Sequence, residues 1–415
     1  MNNSKKVICL LAIVALFAAN ISAQGITTPY SLYGYGMIND NATSSQRAMG
    51  GVGYAMNSGR QINVMNPASY ASIDSLTFLF DMGVTATSVW SKDGDASSKD
   101  FGGGLDYVTM QFPISRYIGA SIGLLPYSSV GYSFGSEISN GASSYSGSGG
   151  LNQLYGGLAV RPFNGFTVGA NISYLFGTNI NDSYAVSDDS QTSLFERVVQ
   201  VRDYHLQFGV QYALKVGKRD KVSVGVTYQP KKGLSGHAWA INYDVNNDTA
   251  PDTVDYISTS KHYSLPETWG AGVSYEWNER LMVEADVTYQ AWKDAKYTML
   301  NPNGNTLESF NDRWKYAVGM QYTPRVRGSF LQRVNYRAGA YYSKDYIKVG
   351  DNSLREYGVT CGFGLPAPNS KSIINIGFEW KHRQATPAAL IKENYFNVTL
   401  GINFNELWFF KNKLR

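Results

Sequence analysis

Apolar and polar residues alternate with a period of two along most of the chain. In the first such run, Phe78, Phe80 and Met82 fall on one face, and Thr77 and Asp81 fall mostly on the other. The pattern recurs at residues 166–176, 203–214, 281–290, 314–322 and 396–404. A period of two is typical of a β-strand with one apolar face, so the chain is predicted to be all-β.

Short and long connections alternate between these runs. The longer, polar ones include residues 92–103, 136–150, 179–191 and 349–353. Six short and seven long connections predict about fourteen strands with both ends on the short-turn side, as in a bacterial outer-membrane barrel. This count requires residues 221–244 to form one long strand bent at Pro230.

A soluble β-sandwich also alternates and is the competing fold. Composition favours the barrel, because the chain holds 30 Tyr and 42 Gly and is only 16% charged. Glu284 and Asp286 lie on the polar face of one strand whose other face is apolar. Carboxylates facing lipid are unfavourable, so the polar face is predicted to face a lumen. The predicted fold is therefore an antiparallel transmembrane β-barrel of about fourteen strands with an N-terminal hatch plugging its lumen.

The first residues resemble an export signal. Lys5 and Lys6 precede an apolar run at residues 7–19, and small residues lead to a predicted cleavage site after Ala23. Cleavage would lower the net charge from +4 to +2, which gives no support to nucleic-acid binding. Cys361 would then be the single cysteine, so neither an intrachain disulfide nor a thiolate metal cluster is expected. The predicted location is the outer membrane, with both termini periplasmic.

About 50 residues separate the predicted signal from the first strand. Within them, residues 47–74 read RAMGGVGYAMNSGRQINVMNPASYASID, which follows neither a helical nor a strand period. A barrel of this size is wide enough to hold such a segment in its lumen. The predicted divisions are a signal peptide at 1–23, a hatch at 24–73, a barrel at 74–404 and a periplasmic tail at 405–415.

Several stretches resemble the FadL-type outer-membrane channels for long-chain fatty acids and other hydrophobic compounds. They are RAMGGVG from Arg47, NPA from Asn66, LPETWGAGVSY from Leu265 and NDRWKYAVGMQY from Asn311. The resemblance covers essentially the whole mature chain. It implies a barrel with a hatch, and passive uptake of a hydrophobic small molecule by lateral diffusion into the membrane.

The hatch supplies the first group of candidate site residues. Glycines permit close backbone approach and positive φ, methionine adapts to irregular apolar guests, and asparagine before proline turns the chain. The candidate hatch or gate residues are Met49, Gly50, Gly51, Gly53, Met56, Asn66, Pro67 and Ala68. Two interpretations stay open: a hatch that gates, and a compact plug packed inside the wall.

The third strand supplies the second group. Its alternation runs into LLPYSS at Leu124, and Pro126 cannot donate a hydrogen bond to a neighbouring strand. The FadL-type resemblance implies a kinked third strand that opens a lateral window, with Gly123, Pro126 and Tyr127 as its candidate residues. A plain β-bulge near the outer rim is the alternative.

No residue pattern indicates catalysis, a metal or a cofactor. The four histidines, His205, His237, His262 and His382, are scattered singly. Asp93 and Asp95 lack the later ligands of a Ca²⁺ loop. Charged residues of the inner face, such as Asp203, Arg337 and Glu379, are expected to bind the plug. The protein is predicted not to be an enzyme.

Two functions remain open at this stage. The first is a channel for hydrophobic small molecules, with outer-membrane lipids and a fatty-acid-like ligand as partners. The second is a non-transporting barrel subunit of an outer-membrane protein assembly or secretion complex, a role that some similar proteins of gliding and anaerobic Gram-negative bacteria have. The long connections are rich in Ser, Asn, Asp and Gly, so no apolar capture site is visible in them.

Overall fold

The computed structural model describes residues 27–138, 141–187, 192–244, 252–301, 304–325, 328–368 and 371–407. The predicted signal peptide and residues 408–415 of the predicted tail lie outside this part of the chain. Within it, no helix is long and apolar enough to cross a membrane.

Strands dominate the described residues. They are β1 (Met37–Ile38), β2 (Thr77–Asp93), β3 (Ala96–Pro113), β4 (Ile118–Pro126), β5 (Ser128–Ile138), β6 (Gly141–Phe163), β7 (Phe166–Ser187), β8 (Thr192–Val216), β9 (Asp220–Gln229), β10 (Lys232–Gly233), β11 (Gly236–Asp244), β12 (Asp252–Ser258), β13 (Ser264–Leu265), β14 (Thr268–Trp277), β15 (Leu281–Gln290), β16 (Thr298–Met299), β17 (Thr306–Leu307), β18 (Arg313–Tyr322), β19 (Asn335–Val349), β20 (Asn352–Pro366), β21 (Ile373–Thr386) and β22 (Lys392–Leu407). The helices are short: α1 (Ser44–Arg47), α2 (Phe330–Arg333), and 3₁₀ turns at Pro29–Leu32, Pro67–Ser72, Thr259–Lys261 and Trp292–Asp294.

The strands close into a fourteen-stranded antiparallel barrel, which confirms the predicted fold. β2 pairs with β22 from Thr77 opposite Leu407 to Lys92 opposite Lys392, so the first strand meets the last. β4 with β5 forms the third barrel strand, β9 with β11 the seventh, and β12 with β14 the eighth. β9 and β11 both pair with β8 and flank Pro230, so the predicted bent strand is confirmed.

The polar connections predicted as long loops are largely strand, and that expectation was wrong. β2 and β3 are joined by a tight turn at Gly94, and β19 and β20 by a turn at Gly350. Ser143 and Ser144 of β6 pair with Ala185 and Tyr184 of β7. Backbone pairing with a neighbour therefore overrides the low strand propensity of Ser and Gly in these segments.

The wall is much taller on one side than on the other. β6, β7 and β8 contain 23, 22 and 25 residues, whereas β15 and β18 contain 10 each. A strand needs roughly 9–11 residues to cross the membrane. The three long strands therefore continue well beyond the bilayer on the side opposite the short turns.

The two faces of the wall differ as the alternation predicts. Apolar side chains are exposed on the outer face, among them Ile172, Tyr174, Phe208, Val210, Val318 and Met320. Polar side chains are buried on the inner face, among them Gln153, Asn171, Gln207, Gln211 and Thr399. This arrangement suits a barrel with lipid outside and a filled lumen inside.

The segment before β2 lies inside the barrel, and we keep the name hatch for its described residues 27–73. It starts near the end of the barrel opposite the short turns, which we call the outer end, where the Thr28 N–H donates to the Gly131 carbonyl at 2.7 Å. α1 follows deeper in the lumen, where the Thr43 N–H donates to the side chain of Gln46 at 2.8 Å in a capping box. The hatch ends at the short-turn side, where Arg161 donates to the Ala71 carbonyl. It therefore runs the length of the lumen before the first strand begins.

Glycines of the wall allow the hatch backbone to approach closely. A Cβ at Gly339 would lie 2.2 Å from the carbonyl carbon of Met49, and one at Gly319 would lie 2.2 Å from its oxygen. A Cβ at Gly169 would lie 2.5 Å from the Pro67 carbonyl. The inner wall is thus shaped to this particular path of the hatch.

We expect Gly339→Ala to displace the hatch around Met49, because the added methyl group would overlap its backbone. Trypsin cleavage after Arg47 should increase several-fold, while the barrel keeps its heat-modifiable mobility in gels. Gly377→Ala is the matched control, because its Cβ would meet Ala48 at an ordinary 3.6 Å. Equal protease protection of both variants would contradict this packing.

Candidate functional site

The three candidate glycines of the hatch each have a definite structural task. Gly50 and Gly51 have φ of 72° and 78°, a region that disfavours residues with a side chain. The Gly50 N–H donates to Thr360 Oγ1 at 2.8 Å. A Cβ at Gly53 would lie 2.2 Å from Gln46 Nε2. These glycines hold a tight turn against the wall.

Two carboxylates of β15 bind consecutive backbone amides of the hatch. Asp286 Oδ2 accepts from the N–H groups of Gly53 at 2.7 Å and Tyr54 at 3.0 Å. Glu284 Oε1 accepts from the Ala55 N–H at 2.8 Å. Both acids are buried, at 7% and 0% exposure. They anchor the hatch to the wall, as was expected for charged residues of the inner face. For Asp203, Arg337 and Glu379 the same expectation was wrong, because their hydrogen-bond partners are residues of the barrel.

The Asn66, Pro67 and Ala68 motif forms a second anchor. The Asn66 side chain accepts from the Ala68 N–H at 3.1 Å and so caps the 3₁₀ turn Pro67–Ser72. Its Nδ2 donates to the Tyr54 carbonyl at 2.7 Å and to Val210 of the wall at 3.3 Å. Proline occupies the first position of the turn, where its missing donor costs nothing. One buried asparagine therefore joins both halves of the hatch to β8.

The two candidate methionines pack against protein and do not line a cavity for an apolar guest. Met49 and Met56 are 0% and 1% exposed. They form one cluster with Val52 and with Ala317 of β18. In this conformation their adaptable side chains fill the space between hatch and wall.

A network of ion pairs was not predicted from the sequence. Asp40 of the hatch binds Arg313 at 3.2 Å and Lys315 at 2.5 Å. Arg47 binds Asp106 of β3 at 3.5 Å. These partners are far apart in sequence, and no local pattern marks them.

A second ionic group lies on the strands next to the seam of the barrel. Arg383 donates to Glu356 at 2.6 Å and lies 3.4 Å from Glu393. Glu393 also accepts from Thr28 Oγ1 and from the Tyr395 hydroxyl, both at 2.7 Å. The start of the hatch is therefore tied to β22.

A cavity lies between the hatch and this charged part of the wall. Its volume is about 280 Å³. Its charged lining consists of Asp40, Arg47, Asp106, Arg313, Lys315, Asp345, Glu356, Glu379, Lys381 and Arg383. Five are basic and five acidic, so the cavity is polar and near charge balance.

The candidate window residues lie where the third barrel strand changes neighbours. Gly123 of β4 pairs with Thr109 of β3 and with Tyr155 of β6. Pro126 ends β4, and the Tyr127 N–H donates to the Leu151 carbonyl at 2.7 Å. The ladder towards β6 thus continues across the proline.

The ladder towards β3 does not continue. β3 pairs with β4 only from Val108 to Pro113, and in the described part of the chain no strand pairs with this edge of β3 above Val108. β5 instead pairs with β1 of the hatch, with Met37 opposite Ser129. We call the separation between residues 102–107 of β3 and Pro126–Ser129 the gap. Gly103, Gly104, Pro126 and Ser129 line the charged cavity, so the gap borders it.

An aromatic cluster closes the outer end of the lumen. We call it the cap; its members are Tyr35, Tyr263, Trp292, Tyr297, Phe310 and Tyr346. The rings of Trp292 and Tyr346 stack with centroids 4.2 Å apart, and Tyr35 meets Tyr297 edge-on at 5.0 Å. All six are at most 6% exposed. They come from the hatch, from outer connections and, for Tyr346, from β19, and no sequence period groups them.

The described residues offer no obvious chemistry beyond these contacts. No group of three or more His, Cys, Asp or Glu that could hold a metal occurs among them. His205 is buried and bonds Gln153 at 3.1 Å, as expected for a hydrogen-bonding lumen residue. The absence of an enzymatic activity stays a prediction.

We expect Asn66→Ala combined with Pro67→Ala to loosen the hatch by about 1–3 kcal/mol, because a cap and two donors are lost from a buried site. Amide hydrogen exchange at residues 54–70 should accelerate, while barrel assembly stays intact. Asn301→Ala is the control, because that side chain bonds only within an outer connection. Unchanged exchange in the double variant would show that the pair is dispensable.

We expect the packing of the hatch under the cap to lose stability as pH rises. Burial raises the pKa of Glu308 to about 7, although the Gly34 N–H, which donates to it at 2.9 Å, acts in the opposite direction. The unfolded side chain ionises near 4.5, so the folded state binds more protons and loses stability between about pH 4.5 and 7. Glu308→Gln keeps the acceptor and should remove this dependence. Hydrogen exchange at residues 30–36 measures it, and the same slope in both proteins would contradict the assignment.

Solved structures show that this architecture is known. The toluene transporter TodX of Pseudomonas putida aligns over 90% of this chain and 100% of its own, with 16% identity and a TM-score of 0.65. The toluene transporter TbuX of Ralstonia pickettii aligns over 88% of this chain and 98% of its own, with 18% identity and a TM-score of 0.58. A FadL homologue of Pseudomonas aeruginosa aligns over 90% of this chain and 99% of its own, with 12% identity and a TM-score of 0.58. The predicted FadL-type resemblance is confirmed, and at these identities it shows the fold.

Sequence comparison places the chain more narrowly. No curated protein matches it significantly. A family model with the description BamG matches residues 4–415, almost the entire sequence. The chain therefore belongs to the BamG family, and its barrel has a FadL-type fold.

Proposed function

We propose that the protein is a non-transporting barrel subunit of an outer-membrane protein assembly or secretion complex. The observation that carries this proposal is a lumen filled by the protein's own side chains. Sites for small apolar ligands are usually cavities of about 300–1,000 Å³ with mostly hydrophobic walls. The described lumen contains a packed aromatic cap, a packed hatch and a charged cavity instead.

The cap occupies the place where a hydrophobic compound would enter. The pocket beside it, lined by Tyr263 and Tyr297, has a volume of about 10 Å³, roughly that of one water. A ligand entering from outside would have to separate rings that already pack against each other. Binding of the ligand would then gain little free energy, because the apolar contacts between the rings are lost as contacts between the rings and the ligand form.

The cavity below the cap is equally unsuited to a hydrocarbon. An apolar guest there would strip solvent from Lys381 and Asp345 without offering them hydrogen bonds. Burying charges without compensation is costly. The charged lining therefore argues against an apolar route along the lumen.

The tall side of the wall supports a role in protein contacts. β6, β7 and β8 rise beyond the membrane as a polar sheet that a channel of bilayer height does not need. Such a sheet offers backbone and side-chain partners to another protein above the bilayer. We place the binding surface of the proposed complex on this side.

We propose further that the mature N terminus lies in the outer half of the barrel. Thr28 contacts Gly131 and Glu393 near the outer ends of their strands. After cleavage behind Ala23, four residues would remain before Thr28, and these reach about 14 Å at most. The hydrocarbon core is about 30 Å thick. The position of Thr28 disfavours the predicted periplasmic N terminus, whereas the end of β22 on the short-turn side supports a periplasmic C terminus.

A hydrophobic channel is the second candidate function, and the gap favours it. An opening in the wall at membrane depth would let an apolar compound pass from the lumen into lipid. The similar structures named as toluene transporters have the same fold. The charged cavity that borders the gap makes this the weaker proposal.

Tagged protein purified gently from native outer membranes tests the two functions. We expect a stoichiometric complex, and no flux of a fluorescent fatty acid into liposomes that contain the isolated barrel. A barrel that purifies alone and conducts the fatty acid would overturn the subunit proposal.

We expect Trp292→Ala to cost roughly 3–5 kcal/mol of stability, because it empties the centre of the cap. Fatty-acid flux should nevertheless stay at background. Trp277→Ala is the control, because this exposed tryptophan lies at the opposite end of the barrel. Urea unfolding and liposome flux measure the two effects, and a large flux through the Trp292 variant alone would identify the cap as a closed gate.

A further inference from the structure

We propose that the charged cavity binds the head group of a zwitterionic phospholipid, whose acyl chains leave through the gap into the outer membrane. The inference goes beyond the subunit role, and it concerns the isolated barrel. It rests on the continuity of cavity and gap, on unpartnered polar atoms, and on the balance of charges.

The cavity and the gap form one path from lumen to lipid. Gly103, Gly104 and Leu105 line the cavity from β3, and Pro126 and Ser129 line it from the other side. Pro113 is the last residue of β3 at the short-turn side, and roughly 9–11 residues span the membrane. Residues 103–107 therefore lie at membrane depth, in the outer half of the bilayer.

Polar atoms along this cavity lack partners within the described structure. Thr87 Oγ1, Arg313 Nε and Asn397 Oδ1 are buried and accept or donate no hydrogen bond there. The three residues are 1%, 6% and 8% exposed. Buried polar atoms are nearly always hydrogen-bonded, so this cluster indicates a polar guest.

The charges indicate which polar guest fits. Lys381 Nζ lies 3.6 Å from Glu356 and 4.3 Å from the centre of the Tyr395 ring, so its partner is distant enough to leave it available to a phosphate. Asp345 Oδ1 accepts from the backbone N–H groups of Tyr346 at 2.7 Å and Ile347 at 3.4 Å, and the carboxyl group has no ion pair among the described residues, so its other oxygen can accept an ammonium group. A purely anionic guest would complement the five basic residues of the lining and leave its five acids without a counter-charge. A phosphate joined to an ammonium group complements both signs.

The size of the site fits a head group and excludes whole lipids. A cavity of about 280 Å³ falls just below the range for drug-sized ligands. Acyl chains must therefore remain outside. Leu105, which is 51% exposed, and the Pro126 ring offer apolar contacts where the chains would leave.

Native mass spectrometry of the delipidated full-length barrel tests the proposal. Palmitoyl-oleoyl phosphatidylethanolamine is titrated against the matching phosphatidylglycerol and against palmitic acid. We expect one phosphatidylethanolamine per barrel and markedly weaker binding of the other two. Tighter phosphatidylglycerol binding would overturn the zwitterionic assignment, and binding of palmitic acid alone would favour the hydrophobic channel.

Two variants locate the lipid. Gly104→Phe should fold, because a Cβ there meets nothing within 4 Å, and its ring would obstruct the gap. We expect at least a tenfold loss of lipid affinity. Gly156→Phe is the matched control, because Gly156 on β6 also has open space around its Cβ. Equal effects of both substitutions would overturn the proposed path.

Thr87→Val removes one unpartnered hydroxyl without changing the side-chain volume. We expect affinity to fall roughly five- to tenfold, the equivalent of one hydrogen bond. Thr167→Val is the control, because its hydroxyl is also buried and unpartnered but does not line this cavity. Heat-modifiable mobility verifies folding of all four variants. Unchanged binding by both Thr87→Val and Gly104→Phe, or a co-purified polypeptide at the gap in place of lipid, would refute the site.

The lipid-binding test is independent of the test of the subunit proposal. Lipid binding is measured on the isolated barrel, whereas the subunit role is measured by recovery of a complex from native membranes. Loss of lipid in Gly104→Phe with the complex retained would support this site alone. A lone barrel that still binds phosphatidylethanolamine would overturn the subunit role alone.

Discussion

The structure depends on satisfying the backbone of an irregular chain inside a closed barrel. The hatch has few helical or strand hydrogen bonds of its own, so its amides must find partners on the wall. Asp286 and Glu284 accept from three consecutive N–H groups, and Thr360 accepts from a fourth. Each such group left unpaired would cost about 1–3 kcal/mol. The acids on the inner face are therefore part of the hatch fold as much as of the barrel.

Close packing makes this dependence mutual. The wall has glycine at 319 and 339 where the hatch backbone passes, and the hatch has glycine at 50, 51 and 53 where it turns. A hatch that moved as a gate would have to break several buried hydrogen bonds together and would leave two carboxylates of β15 without partners. This combination favours a plug over a gate.

Sequence alone predicted those parts of the structure that repeat along the chain. The period of two located the strands, Pro230 located the bend, and the placement of Glu284 and Asp286 on one face indicated a lumen. Prediction from sequence failed where contacts between residues distant along the chain determine the structure. Ser- and Gly-rich segments became tall strands because neighbours pair with them. Tyr35 meets Tyr297, and Asp40 meets Lys315, across sequence distances that no local pattern can reveal.

The gap is the clearest feature that local sequence patterns could not reveal. Pro126 signalled an interruption of the third strand, but the consequence falls on β3, whose FGGGLD segment carries no proline. An unpaired strand edge is severely unfavourable in lipid, where its N–H and C=O groups have no partner. Here the edge borders a cavity lined by charges, so its backbone groups face a polar space in place of hydrocarbon. With the gap at the proposed membrane depth, the charged cavity would make an open wall tolerable, and the same polarity would make it a poor passage for a purely apolar molecule.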